Sequence, residues 1–123
     1  PVARLAAAAA TLAALTIGVV TIRSATADAS NACSYRNFCA WQDPGYGGSR
    51  AQWYGYSEWW PAYIRNDESS VRNASPDYTV RVFSAYSFSG TYLFCTPAGH
   101  SYGTMGTPNN GASHNWFSGA YNC

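Results

Sequence analysis

Trp41-Gln42-Asp43-Pro44-Gly45-Tyr46-Gly47-Gly48 decides the fold because its pattern returns 42 residues later as Phe83-Ser84-Ala85-Tyr86-Ser87-Phe88-Ser89-Gly90. In each copy an aromatic residue stands seven positions before a glycine, and a polar, serine-containing segment follows: Arg65–Ser70 after the first and Asn109–His114 after the second. Two copies of one pattern imply two similar supersecondary units, and a unit of about 40 residues buries too little apolar surface to stand alone. The expectation is one domain of paired halves.

Outward from these segments the chain reads as strand and turn. Asp43–Gly48 is a turn whose glycines supply backbone conformations closed to other residues, flanked by strands at Asn37–Trp41 and Arg50–Gly55. Tyr78–Phe83 and Gly90–Cys95 are rich in β-branched and aromatic residues and read as a second hairpin. Between Thr96 and Ser113, prolines and glycines at 97, 99, 103, 106, 108 and 111 point to loops joining short strands. The one helical candidate, a turn within Ser57–Tyr63, is limited by Pro61.

The N-terminal segment stands apart. Arg4 precedes an apolar run from Leu5 to Val20, and Ala25-Thr26-Ala27 offers the small residues that signal peptidase accepts, with Ala29 a competing end. The run is shorter than the roughly 20 residues of a comfortable membrane span, and no basic stop-transfer cluster follows. Residues 1–27 are therefore expected to be a signal peptide and 28–123 a secreted domain, with a first motif at about 33–76 and a second at about 77–123, and no membrane association after cleavage.

Removing that leader changes the charge. The whole chain carries a net +1, but beyond residue 27 five arginines face six carboxylates, there is no lysine, and the arginines are scattered. Nothing here neutralises a phosphate backbone, which argues against nucleic acid. Cys33, Cys39, Cys95 and Cys123 all follow the leader. An even count in a small secreted domain points to two disulfides, for which three pairings are open; joining sequence neighbours, Cys33 with Cys39 and Cys95 with Cys123, is the favoured one. The spacing of thiols and histidines does not suit zinc. The chain's 5 Trp, 10 Tyr and 5 Phe also lie beyond residue 27, enough to build a small core and leave rings outside it. Trp41 and Trp53 are assigned to strand interiors. Trp59 and Trp60, with Tyr56, Tyr63 and Tyr102, are the candidate partner-binding residues.

The doubled pattern of aromatic, glycine and later serine resembles the Greek-key repeat of the βγ-crystallin fold. Cys33 and Cys39, WQDPGYGG, DESSVRN at Asp67–Asn73 and ASHNW at Ala112–Trp116, together with the leader, resemble a secreted actinobacterial peptidase inhibitor family typified by a metalloproteinase inhibitor. The resemblance implies an all-β sandwich of two Greek keys, stapled by the two disulfides, and, for some members, blockade of an extracellular protease by an exposed loop. Other relatives of the fold bind calcium, kill yeast as toxins or serve structurally.

These implications select residues. Gly55–Tyr63 and Pro97–Pro108 are the candidate inhibitory loops; neither is bracketed by cysteines. The calcium pattern of the fold asks for two acidic or amide residues, two arbitrary ones, then Ser or Thr followed by Ser. Asn66, Ser69 and Ser70 fit it in the first copy with Arg65 in the leading place, and Asn109, Asn110 and Ser113 fit it in the second with His114 in the last. Calcium is thus a weak candidate and no other cofactor is expected. A triad of Ser101, His100 and Asp77 lacks a nucleophile elbow, and Glu58 with Asp43 shows no sign of a paired cleft, so the chain is read as a non-enzyme. The alternative to an inhibitor is an adaptor or structural subunit of a secreted complex or toxin that binds partners through surface aromatics.

Overall fold

The computed structural model describes residues 32–105 and 110–123. The leader expected at 1–27, the segment 28–31, and Asn109 among the calcium candidates lie outside the described residues. The rest is all-β and contains seven strands: β1 (Phe38–Asp43), β2 (Gly47–Trp53), β3 (Ser70–Asn73), β4 (Tyr78–Ala85), β5 (Ser89–Thr96), β6 (Ser101–Tyr102) and β7 (Ser113–Ser118). Every ladder is antiparallel. One sheet has the order β2-β1-β3-β6 and the other β5-β4-β7.

The sheets exchange strands. β6, which follows the second hairpin, pairs with β3 in the first sheet, and Ser57, which follows the first hairpin, forms a bridge with His114 on β7 in the second. Each half thus lends its third extended segment to the other sheet. This is why neither half is complete alone, and it gives the two-Greek-key sandwich expected from the repeat.

The repeat itself is visible in the backbone. Gly45, Tyr46 and Gly48 have φ of 71°, 63° and 73°; Ser87, Phe88 and Gly90, each 42 positions later, have 56°, 60° and 76°. At the glycines no larger residue fits: a Cβ on Gly48 would lie 2.7 Å from Asp43 Oδ2, and one on Gly90 would lie 2.6 Å from Ser84 Oγ. One serine closes each folded hairpin. Ser70 Oγ donates to Asp43 O at 2.8 Å and accepts from Tyr46 N at 3.0 Å; Ser113 Oγ donates to Ala85 O at 2.7 Å and accepts from Phe88 N at 3.1 Å. Ser70 is therefore matched with Ser113, so the polar segments align one residue away from the pairing read in the sequence, where Ser69 stood opposite Ser113. The extra backbone step is invisible in a run as short as Ser-Ser.

Between the sheets Phe38, Ala40, Ala51, Trp60, Ile64, Val71, Val80 and Val82 form the core, with Trp53, Leu93, Phe94, Tyr102, Met105 and Trp116 packed around it. Trp41 is fully buried as expected, whereas Trp53 is half-buried. Cys33–Cys39 and Cys95–Cys123 are the two disulfides, the neighbour pairing favoured above. The helical turn is present but displaced: Ile64 N and Arg65 N both reach Pro61 O, so Pro61 starts the turn, as its fixed φ and missing N–H allow at a first helical position. Strands β3, β6 and β7 were not read in the sequence, because each owes its extension to a partner strand more than to its own propensity.

Candidate functional site

The first candidate loop leaves β2 at Trp53 and returns to the core at Trp60, and the backbone hydrogen bonds that hold it come from the other half of the chain. Ser57 and His114 exchange backbone bonds at 3.0 and 2.9 Å, and Trp60 N donates to Ala112 O at 2.8 Å. The His114 ring completes the anchor. Its Nδ1 accepts the Trp60 indole N–H at 2.9 Å, which leaves the proton on Nε2, 2.9 Å from Gly55 O. One buried imidazole thereby binds both ends of a loop that is six residues long, Gly55–Trp60. Phe38 and Trp53 lie 4.9 and 4.7 Å from that ring, and burial in this apolar setting pushes the His114 pKa down to about 3. The ring is neutral and structural.

The outer surface of the loop rests on the β4–β5 turn. Ser87 N donates to Glu58 O and Ser87 Oγ to Glu58 Oε1, both at 2.9 Å. Tyr56 meets Phe88 edge-on at 5.7 Å, and Trp59 meets Tyr86 edge-on at 5.8 Å. The Arg65 guanidinium lies 4.1 Å over the Trp59 ring while its Nη1 donates to Trp60 O at 3.0 Å. Trp59 is therefore 48% exposed yet held on two sides. Large rings fixed in this way lose little entropy when a partner covers them.

The other sequence candidates are dispersed. Trp60, offered as a projecting group, is fully buried and serves as the loop's anchor; the single residue step from Trp59 turns one ring outward and the next inward. Tyr63 is half-exposed but tied to the first sheet, its hydroxyl donating to Arg50 O at 3.1 Å. Tyr102 sits on β6 against the core with its hydroxyl donating to Cys95 O at 3.0 Å. Of the second candidate loop, Ser101–Tyr102 is paired as β6 in the first sheet, and residues 106–108 lie outside the described residues. The residues that sequence reasoning missed are Tyr86, Ser87 and Phe88, the platform under the loop, and His114. Their one signal was the repeat, which sets Phe88 opposite Tyr46.

Several of the described calcium candidates and their neighbours have other partners. Arg65 is committed to Trp59 and Trp60, and the corrected alignment sets Ala112 opposite Ser69, removing a hydroxyl from the second copy. The Ser113 hydroxyl is used inside its hairpin, and Asn66 takes a left-handed φ of 60°. Among the described residues no group of three or more His, Cys, Asp or Glu side chains could hold a metal. Calcium takes six to eight oxygens, and neither copy presents its pattern intact. Glu68 is the one fully buried carboxylate among the described residues, and both its oxygens face inward, accepting Gly111 N–H at 3.0 and 3.1 Å.

Residues 26–96 match the profile described as peptidase inhibitor family I36. The fold is similar to that of a chain solved in work on the evolution of the eye lens βγ-crystallin domain fold, with TM-score 0.63, 12% identity, and 71% of this chain and 91% of that chain covered. It is also similar to a βγ-crystallin from Ciona intestinalis, with TM-score 0.54, 17% identity and coverage of 64% and 96%. The N-terminal domain of Protein S gives TM-score 0.51 at 18% identity, covering 67% and 96%. A search of curated proteins finds no match.

Proposed function

This chain belongs to peptidase inhibitor family I36, and from that premise we propose that it is an extracellular binding protein that occludes the cleft of a secreted peptidase with the loop Gly55–Trp60. The carrying observation is Trp59, half-exposed at the loop's outer turn and braced by Arg65 on its face and Tyr86 at its edge. A cleft inhibitor needs a protruding group held in its bound pose before the encounter, because ordering it afterwards would cost affinity. The loop has that property, with bonds at Gly55, Ser57, Glu58 and Trp60. Two further points favour this loop over Pro97–Pro108: the stretch matching the family includes it and ends at residue 96, and Ser101–Tyr102 within the second loop is already paired in a sheet.

The target is a peptidase whose specificity pocket admits an aromatic side chain, with Trp59 entering it and Tyr56 on the flank. The test is inhibition of purified secreted zinc and serine peptidases of aromatic specificity by the wild-type protein and by W59A. Inhibition lost in W59A supports the reading. Equal inhibition by both proteins overturns the loop assignment, and an absence of inhibition together with a stable complex with secreted proteins that are not peptidases makes the chain an adaptor.

A further inference from the structure

Asn110-Gly111 is the one Asn-Gly step in the sequence, and it lies just before β7. An asparagine followed by glycine is the pair most open to ring closure between the side-chain amide and the next backbone nitrogen, because glycine has no Cβ to shield that nitrogen. Asn110 is exposed while Gly111 is buried. The side chain therefore has room to turn, and the nitrogen it would meet is held inside the protein.

What holds that nitrogen is a carboxylate. Gly111 N–H donates to Glu68 Oε1 at 3.1 Å and to Glu68 Oε2 at 3.0 Å, across 43 positions of sequence, and Glu68 is 1% exposed. A neutral acceptor would satisfy one N–H, and burying a carboxylate for that purpose is costly. The same burial makes the group a stronger base, its pKa raised to about 7 chiefly by desolvation. A group at hydrogen-bond distance from the proton it would take, with a pKa near neutrality, is what general-base catalysis requires. Packing keeps the two together, since a Cβ on Gly111 would fall 2.7 Å from Glu68 Oε2 and 2.5 Å from the Trp60 ring.

We propose that Asn110 is a self-modification site, converted to aspartate and isoaspartate through a cyclic imide whose formation Glu68 assists as base. Glu68 takes the proton from Gly111 N, and the nitrogen's electron pair forms a bond to Asn110 Cγ. The Cγ–Nδ2 bond then breaks, and Nδ2 leaves as ammonia with that proton, which returns Glu68 to the carboxylate. Water opens the imide at either carbonyl, and attack at the backbone carbonyl leaves the chain running through the side chain of residue 110. That product inserts a methylene into the main chain and places a new carboxylate close to Glu68. It does so beside two anchors: Gly111 O accepts Asn66 N, and Ala112 O accepts Trp60 N, both at 2.8 Å. Conversion thus loosens the return of the Gly55–Trp60 segment to the core as the protein ages. The modification does not depend on the peptidase-binding reading, and its readout is chemical.

The test is incubation of the full-length protein at neutral pH, following the acidic form by ion exchange, the amide-to-acid change at residue 110 by peptide mass spectrometry, and isoaspartate by methyltransferase labelling. Wild type is expected to convert at Asn110, and N110Q, an exposed substitution whose longer side chain disfavours the five-membered ring, is expected to lose that conversion. E68Q keeps an amide oxygen that can accept Gly111 N–H but cannot take its proton, and is expected to convert about 100-fold more slowly, the low end of what a positioned base contributes. A comparison that needs no variant sets the folded protein against the same protein unfolded in urea with its disulfides intact, and the folded form is expected to react faster. The proposal is overturned if residue 110 gains no acid, if folded E68Q converts as fast as wild type or faster, or if the unfolded chain converts as fast as the folded one or faster.

Discussion

The indole N–H of Trp60 donates to Nδ1 of His114 over 2.9 Å, although the two residues lie 54 positions apart. The bond sets the imidazole tautomer, and the tautomer sets the second bond, from Nε2 to Gly55 O. Protonation would turn Nδ1 into a donor facing a donor. The histidine therefore couples the conformation of the loop to the second half of the domain, and the exposed Trp59 inherits its position from the buried Trp60.

His114 and Glu68 make opposite contributions to the pH dependence of stability. The folded His114 pKa, about 3, lies below its ordinary 6.5, so the unfolded chain binds the extra proton between these values. Its contribution is complete above pH 6.5 and is lost as the pH falls towards 3. Glu68, raised by burial to about 7 from 4.5, binds its proton in the folded state first, so its contribution is complete below 4.5 and is lost as the pH rises to 7. Each slope is at most about 1.4 kcal/mol per pH unit. Urea unfolding is expected to give a plateau from about 4.5 to 6.5, a decline below it and a smaller decline from 6.5 to 7. In E68Q the plateau should become a continuous decline on acidification from 6.5; a plateau that survives in E68Q would refute the assignment.

Trp59 is expected to separate binding from folding. Because its ring is half-exposed, W59A should lower stability by about 1 kcal/mol or less while raising the inhibition constant by about 30-fold, the scale of a hot-spot residue. S87A removes the bond to the Glu58 carboxylate and should weaken inhibition by a smaller factor, visible mainly in the dissociation rate. Surface plasmon resonance beside thermal unfolding checks both; a loss of stability matching the loss of affinity would return Trp59 to a structural role.

Gly111 and Gly55 should differ sharply on substitution. A Cβ on Gly111 would lie 2.5 and 2.7 Å from atoms of the buried Trp60 ring and 2.7 Å from Glu68 Oε2, whereas one on Gly55 meets nothing within 4 Å. G111A is expected to cost about 2 to 3 kcal/mol by overpacking, and G55A to leave stability unchanged or raise it by up to about 1 kcal/mol. Chemical denaturation of the two variants decides, and equal effects would mean that the Trp60 ring has room to retreat.

The two disulfides should contribute unequally. Cys95–Cys123 closes a sequence separation of 28 and Cys33–Cys39 one of 6, so on chain entropy the first contributes about 3.6 kcal/mol and the second about 2.2 kcal/mol. The C-terminal bridge is also supported by Arg81, whose Nε and Nη2 donate to Asn122 O at 2.9 and 2.7 Å. Replacing Cys95 and Cys123 with alanine should lower the unfolding midpoint more than replacing Cys33 and Cys39; the reverse order would show that strain or residual structure outweighs loop closure.

By itself the sequence determined what short-range chemistry writes: two folded hairpins from an aromatic-to-glycine spacing, their β character, and the Gly55–Tyr63 segment as a place of large rings; it favoured the neighbour pairing of the cysteines, which the structure decided. Left-handed turn positions and strand propensity are properties of a few adjacent residues, so they survive in a string. The tertiary structure alone decided the exchange of Ser57 and β6 between sheets, the matching of Ser70 with Ser113, the burial of Trp60 beside an exposed Trp59, and the use of His114 as a neutral tether. Each of these rests on contacts between residues 24 or more positions apart, where the choice is made by which surfaces the two sheets can bury together. The Gly55–Trp60 segment was legible as a loop; the platform of Tyr86 and Phe88 beneath it was not, because only packing brings one hairpin's turn beneath the other hairpin's exit.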